Sequence, residues 1–317
     1  MGWVSMLLCV AATAVGCIPQ EPIAGEEGAE RGSDLTGGEV AASNRFPSTL
    51  LIKNNCTVTK VGPRHILTAA HCVDEIGATG GVTAAFQPGA KIKISSVNDL
   101  SKVENPYVTH TVEKTIIHPA WIEARNASPQ ASGIVLTGEH PPDVAVIVLT
   151  AASTDKLAQI PIASVDLRRV AKGDDVVIMG YGCESGLDGA EDFPTGKKRL
   201  KFHETETLGK NALVHAGAYI PSSEAPEVYA GYIVTPGRSL DPDEASLCPG
   251  DSGGPVYRDD GTDAHVVGVN AYYSFLPVAQ DPQSVSLTNW HTRLDDESRW
   301  KIGPWLAGLG VSVTTSE

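Results

Sequence analysis

The chain has 317 residues, with 32 glycines, 21 prolines and 6% aromatic residues, enough to bury a sizeable core as one large domain or two packed lobes. Its formal net charge of −14 argues against nucleic acid or an anionic membrane surface as the main partner. No apolar run after residue 20 reaches the roughly 20 residues that a membrane-spanning helix needs.

Val4 to Val15 is mostly apolar but only a dozen residues long, which suits a signal peptide over residues 1–17 better than a spanning helix. Ala14-Val-Gly-Cys17 resembles a bacterial lipobox, in which Cys17 is lipidated and anchors the protein to the cell envelope. The leader has no Lys or Arg, and Ala stands where Leu is usual. Plain cleavage near Gly16 or Pro19, giving a freely secreted protein, is the alternative. Residues 18–34 are rich in acids, with Gly and Pro, and read as a solvated tether or propeptide.

From residue 35 onward the pattern is one of short β-prone runs between Gly, Pro and Asn turns. Leu50–Lys53, Ile66–Thr68, Lys91–Ser95, Thr109–His118 and Val144–Leu149 are expected as strands of a first lobe, about residues 35–155. Ala151–Ile160 is the expected crossover. Asp175–Met179, Leu200–Glu206, Glu227–Val234, Pro255–Tyr257 and His265–Tyr273 would build a second lobe, about residues 156–317. Asp295–Leu309 reads as a terminal helix that Pro304 shortens or kinks. Such a chain reads as all-β, barrels or a sandwich.

Three segments carry chemistry. In Cys248-Pro-Gly-Asp-Ser-Gly-Gly-Pro255, glycines around Ser252 allow a tight turn and close backbone approach. The N–H groups of Gly250 and Ser252 could then converge on a developing oxyanion. Asp251 in such a buried turn needs a cationic partner. Ile66-Leu-Thr-Ala-Ala-His71-Cys72 offers an imidazole to take the proton of a weak hydroxyl nucleophile. Pro142-Asp143 opens the apolar run to Leu149 and supplies an acid to orient that ring. Each segment alone could be an ordinary loop or turn; the three together argue for acyl transfer.

The order His71, Asp143, Ser252 resembles that of the chymotrypsin/trypsin-type serine proteases. Leu35-Thr-Gly-Gly-Glu-Val-Ala, Phe46-Pro47, Ile116-Ile-His-Pro119, Met179-Gly-Tyr-Gly182, Val266-Val-Gly-Val269 and Trp300 extend the resemblance over about residues 35–306. It implies two packed six-stranded Greek-key β-barrels with a C-terminal helix. It also implies endopeptidase action on protein or peptide substrates by a monomer, with no cofactor. A non-catalytic binding or regulatory module on the same fold is the alternative.

The resemblance carries further residue-level expectations. Of six cysteines, Cys9 and Cys17 lie in the leader, and an even number remains for disulfides outside the cytosol. The family's bridge beside its histidine matches Cys56–Cys72. The usual partner of Cys248 is absent, so Cys183, after Gly180-Tyr-Gly182, is paired with it. No His/Cys cluster has zinc spacing, so no metal is expected. An activation ion pair between a new amine at Leu35 and Asp251 is implied, with cleavage after Asp34 or at Arg31. Ser246, Leu247, Tyr272 and Tyr273 are placed at the specificity pocket. An uncharged Ser246 with apolar Leu247 points to cleavage after uncharged residues, Tyr273 limiting their size. A preference for acids would need a pocket histidine such as His265 or His291.

Overall fold

The computed structural model describes residues 35–42, 45–54, 56–77, 81–127, 141–182, 198–209, 231–238, 241–259, 264–274, 288–296 and 298–314. The leader, the acidic segment 18–34, Cys17 and Cys183 lie outside the described residues. In chain order the strands are β1 (Glu39–Val40), β2 (Thr49–Ile52), β3 (Thr57–Lys60), β4 (His65–Thr68), β5 (Asp74–Ile76), β6 (Val82–Ala84), β7 (Lys91–Ser95), β8 (Val108–Ile117) and β9 (Ala145–Leu149) in the first half. The second half adds β10 (Ser164–Asp166), β11 (Asp175–Gly180), β12 (Lys201–Glu206), β13 (Tyr232–Pro236), β14 (Pro255–Asp259), β15 (Ala264–Ser274), β16 (Thr288–Arg293) and β17 (Val313–Thr314).

The first lobe is a closed barrel in the order β2-β3-β4-β9-β8-β7. β9, Ala-Val-Ile-Val-Leu, is buried throughout, as an unbroken β-branched run between two neighbours should be. It pairs with β4 from Thr68↔Ala145 to His65↔Val148, so Asp143 and the residues after Thr68 come out at one end of the barrel. In the second lobe β12-β11-β14-β15-β16-β13 form a curled path. A hydrogen bond from Leu208 N to Val234 O at 2.7 Å joins its two ends.

The lobes meet through buried aromatic and polar contacts. Phe46 stacks on Tyr257 at 5.4 Å and 11°, and Thr49 Oγ1 lies 3.2 Å from Tyr257 OH. Lys60 Nζ, on β3, donates to Leu157 O at 2.7 Å and Ile160 O at 2.5 Å. These bonds fasten the crossover, which forms the short helix α2 (Thr154–Leu157) after α1 (Pro119–Ala127) in the first lobe.

The terminal helix is shorter than the sequence suggests. α3 spans Ile302–Gly308, with Pro304 in its first turn, where a missing N–H matters little. Residues before it are held otherwise: Asp295 accepts from Val170 N at 2.7 Å and pairs with Arg293 at 3.0 Å. Lys301 has φ 51°, which breaks any continuation toward the N-terminal side. β3 and β16, Thr-Val-Thr-Lys and Thr-Asn-Trp-His-Thr-Arg, are fully buried strands that apolar patterning does not reveal.

Candidate active site

His71 lies in the 3₁₀ turn Ala70–Cys72 that follows β4. The Cys56–Cys72 disulfide ties that turn to the residue before β3. Asp143, immediately ahead of Val144 and β9, is fully buried. Its Oδ2 lies 2.6 Å from His71 Nδ1, and its Oδ1 accepts from His71 N at 2.9 Å. An ionised carboxylate only accepts, so it fixes the ring proton on Nδ1 and leaves Nε2 free to act as a base. Burial alone pulls the His71 pKa down. The charge and hydrogen bond of Asp143, with Asp74 adding, outweigh it and hold the pKa above the ordinary histidine value. The second lobe braces the acid: Thr292 Oγ1 donates to Asp143 O at 3.0 Å, and Tyr232 OH donates to Pro141 O at 2.7 Å.

Ser252 is half-buried in the turn that follows Cys248. Gly250 and Gly253 have φ of 102° and 77°, which side chains rarely adopt. A Cβ on Gly253 would come within 2.2 Å of Thr68 Oγ1 and 2.5 Å of Thr57 O. The Ser252 turn is thus seated against the strand that leads into His71. Thr57 joins the two lobes there: Thr57 N and Oγ1 donate to Gly250 O at 3.1 and 2.7 Å, and Thr57 Oγ1 accepts from Tyr181 N at 2.9 Å. His71 Nε2 lies 3.8 Å from Cys72 Sγ, and no hydrogen bond among the described residues joins it to Ser252 Oγ.

Asp251 is fully buried. Its Oδ1 accepts from Gly182 N at 2.7 Å and its Oδ2 from Cys248 N at 2.9 Å. A Cβ on Gly180 or Gly182 would come within 2.2 or 2.5 Å of this carboxylate, which is the physical reason for the Gly-Tyr-Gly run. Burial pushes the Asp251 pKa up to about 6, against the pull of those two N–H groups and of the Lys198 and Lys201 charges. Leu35 is also buried, in an apolar cluster with Leu247, Val170 and Ile178. Thr36 and Ser246 exchange backbone hydrogen bonds at 3.0 and 2.9 Å, so the 35–38 segment docks beside the residues that precede Ser252.

The four residues assigned to the specificity pocket divide into two groups. Ser246, Leu247 and Tyr273 belong to the Leu35 side, with Tyr273 packed on the cluster that holds Leu247. Tyr272 belongs to another cluster: neighbouring strand residues face opposite ways, and its ring packs with Tyr232 and Trp290. Ser246 Oγ accepts from Arg238 N at 3.1 Å. Asn289, absent from the residues that the sequence assigns to the pocket, reaches the segment that precedes Ser252, with Oδ1 accepting from Leu247 N at 2.9 Å. It lies in the polar run Leu287-Thr-Asn-Trp-His-Thr292, where hydropathy gives no signal that could single it out. His291 is buried between Asn270 Oδ1 at 2.8 Å and Thr235 Oγ1 at 3.1 Å, and burial lowers its pKa to about 3. It therefore offers no cation to an acidic substrate.

Cys248 is disulfide-bonded; Cys183, its expected partner, lies outside the described residues. Among the described residues, Cys56, His71 and Cys72 group as metal ligands would. Both cysteines are spent in their disulfide, and His71 Nδ1 is engaged by Asp143.

The class defined by this fold and site is that of the two-lobed serine proteases. Residues 35–281 match the model of the trypsin family, and the chain belongs to that family. It is 24% identical over 312 residues to "Melanization protease 1" of Drosophila melanogaster, covering 89% of this chain and 68% of that protein. It is 23% identical over 262 residues to "Chymotrypsin-like elastase family member 1" of Canis lupus familiaris, covering 78% of this chain and 84% of the relative. The Bos taurus protein of the same name is 22% identical, with 78% and 82% covered.

Proposed function

We propose that the chain is an exported serine endopeptidase that works through an acyl-enzyme on Ser252. The observation that carries this reading is the buried Asp143 bound to His71 Nδ1 at 2.6 Å, at the end of the barrel where the Ser252 turn is seated. Ser252 Oγ bonds to the scissile carbonyl carbon as its proton passes to His71 Nε2. Gly250 N–H and Ser252 N–H stabilise the oxyanion. His71 returns the proton to the leaving amine as the C–N bond breaks, and water then cleaves the ester by the reverse proton path. The substrate residue before the scissile bond is uncharged, because Ser246 and Leu247 offer it no charge to pair with.

On the same reading, cleavage frees the Leu35 amine to pair with Asp251 and order the oxyanion turn. Cys183–Cys248 braces that turn from the second lobe. Export is by the 1–17 leader, to a lipid anchor at Cys17 or to the medium. The test is a fluorophosphonate probe on the full chain and on a form beginning at Leu35, each with Ser252→Ala beside it. Labelling of the Leu35 form that vanishes in Ser252→Ala is the expected result, with peptidase turnover down about 10⁴-fold or more in that variant. Absence of labelling in both forms would identify a non-catalytic module.

A further inference from the structure

Cys56 and Cys72 stand at the two ends of a hairpin. β3 and β4 pair through Thr59↔Leu67 and Lys60↔Ile66. Cys56, just before β3, and the Ala70–Cys72 turn, just after β4, therefore come out at one end of the barrel. Their Cα atoms are 6.1 Å apart, and the ladder keeps them neighbours whether or not the bridge is closed. His71 Nε2 lies 3.8 Å from Cys72 Sγ. The ligand atoms of Cys56, His71 and Cys72 all fall within 4.8 Å of one another. Spacing along the chain hides this group, because one member comes from the far end of the hairpin.

While the bridge is closed the two sulfurs are bonded to each other. A dithiol reductant opens it: one thiolate attacks a bridge sulfur and expels the other cysteine, and the second thiolate then displaces the cysteine still held. The reductant leaves as a disulfide, and Cys56 and Cys72 each gain one electron and one proton. Two thiols then face an imidazole nitrogen with a free lone pair, because Asp143, 2.6 Å from Nδ1, holds the ring proton there. A carboxylate behind the ring is how proteins orient a zinc-binding histidine and raise its basicity. Tetrahedral zinc, bonded at about 2.3 Å to sulfur and about 2.0–2.1 Å to nitrogen, sets its ligand atoms about 3.5–3.8 Å apart. Cys72 Sγ and His71 Nε2 already have that spacing. Binding releases the two thiol protons. The fourth position is left to water, since the His71 side chain is 30% exposed.

We propose that Cys56, Cys72 and His71 form a redox-gated zinc site that exists only while the Cys56–Cys72 bridge is open. The metal takes the Nε2 lone pair, so reduction followed by metal capture removes the base that would serve Ser252. Chelation or reoxidation returns it. The site itself needs only these three side chains and the carboxylate behind the ring. Its inhibitory consequence rests on the endopeptidase reading above.

The test titrates zinc, and cobalt in its place, into the full chain before and after dithiol treatment, with the dithiol removed anaerobically and the fold followed by circular dichroism. The reduced chain is expected to bind one zinc ion that the oxidised chain does not, and cobalt should give a thiolate charge-transfer band. Asp143→Asn should weaken zinc binding about 10–100-fold, and His71→Ala by at least as much. Cys56→Ser with Cys72→Ser, treated alike, controls for the remaining cysteines and should lose both the extra ion and the band. In the form beginning at Leu35, zinc should block fluorophosphonate labelling of the reduced protein, and a chelator should restore it. A reduced chain that unfolds, or that binds zinc no better than the double variant or His71→Ala, would overturn the site. Tight zinc binding with labelling intact would overturn the inhibitory consequence. A protein that labels in no form would overturn the endopeptidase reading alone, the zinc and cobalt titrations deciding the site by themselves.

Discussion

His71 and Asp143 set how the site should respond to pH and to single-atom change. The carboxylate raises the ring pKa, and a protonated ring cannot take the Ser252 proton. The acid limb of kcat/KM should therefore lie above the ordinary histidine value of about 6.5, activity falling as pH drops through it. Asp143→Asn keeps the shape but removes the charge and favours the wrong tautomer. It should lower kcat by about 10⁴-fold, measured on a short peptide substrate, and shift that limb toward lower pH. The stability linkage has its own sign. A folded pKa above the unfolded one stabilises the fold fully below about pH 6.5 and fades as pH rises through the folded value.

At the scale of elements, the Ser252 turn is shaped by what surrounds it. Gly182 gives its N–H to Asp251 and has no room for a side chain, since a Cβ would sit 2.5 Å from the carboxylate. Gly182→Ala should push Asp251 aside and abolish fluorophosphonate labelling in a protein that still shows β-rich circular dichroism. Cys72→Ser, which opens the Cys56–Cys72 bridge, should cost about 2–4 kcal/mol in denaturant unfolding. The same scale explains what sequence can reveal. His71, Asp143, Ser252 and the glycines beside them stand out because each chemical role needs a particular side chain or backbone freedom within a few residues. β16 does not, because Thr-Asn-Trp-His-Thr-Arg is buried by mutual satisfaction of polar groups, Asn289 and His291 among them. Hydrophobic periodicity reports only burial that is apolar. The opposite facing of Tyr272 and Tyr273 is implicit in strand alternation, but their separate clusters depend on register with β16, which two adjacent letters do not carry.

In the whole molecule, the proposed cleavage before Leu35 would tie processing to stability through Asp251. A buried carboxyl with pKa about 6 is held neutral by the fold relative to an unfolded value near 3.9. Its contribution is fully present below about pH 4 and is lost as pH rises through about 6, on the order of 3 kcal/mol. In a form beginning at Leu35 an ammonium partner would depress that pKa and flatten the loss. Melting temperature measured from pH 4 to pH 7 should therefore fall more steeply for the full chain than for the Leu35 form. Parallel curves would show that no amine reaches Asp251.

Thr57 gives the two lobes a shared hinge pin. One hydroxyl accepts from Tyr181 N and donates to Gly250 O, so the shape of the Ser252 turn depends on a strand from the other half of the chain. The His71–Asp143 pair and Ser252 come from halves joined by one crossover. A chain in which only the first half has folded thus holds the His71–Asp143 pair with no Ser252 turn seated against it.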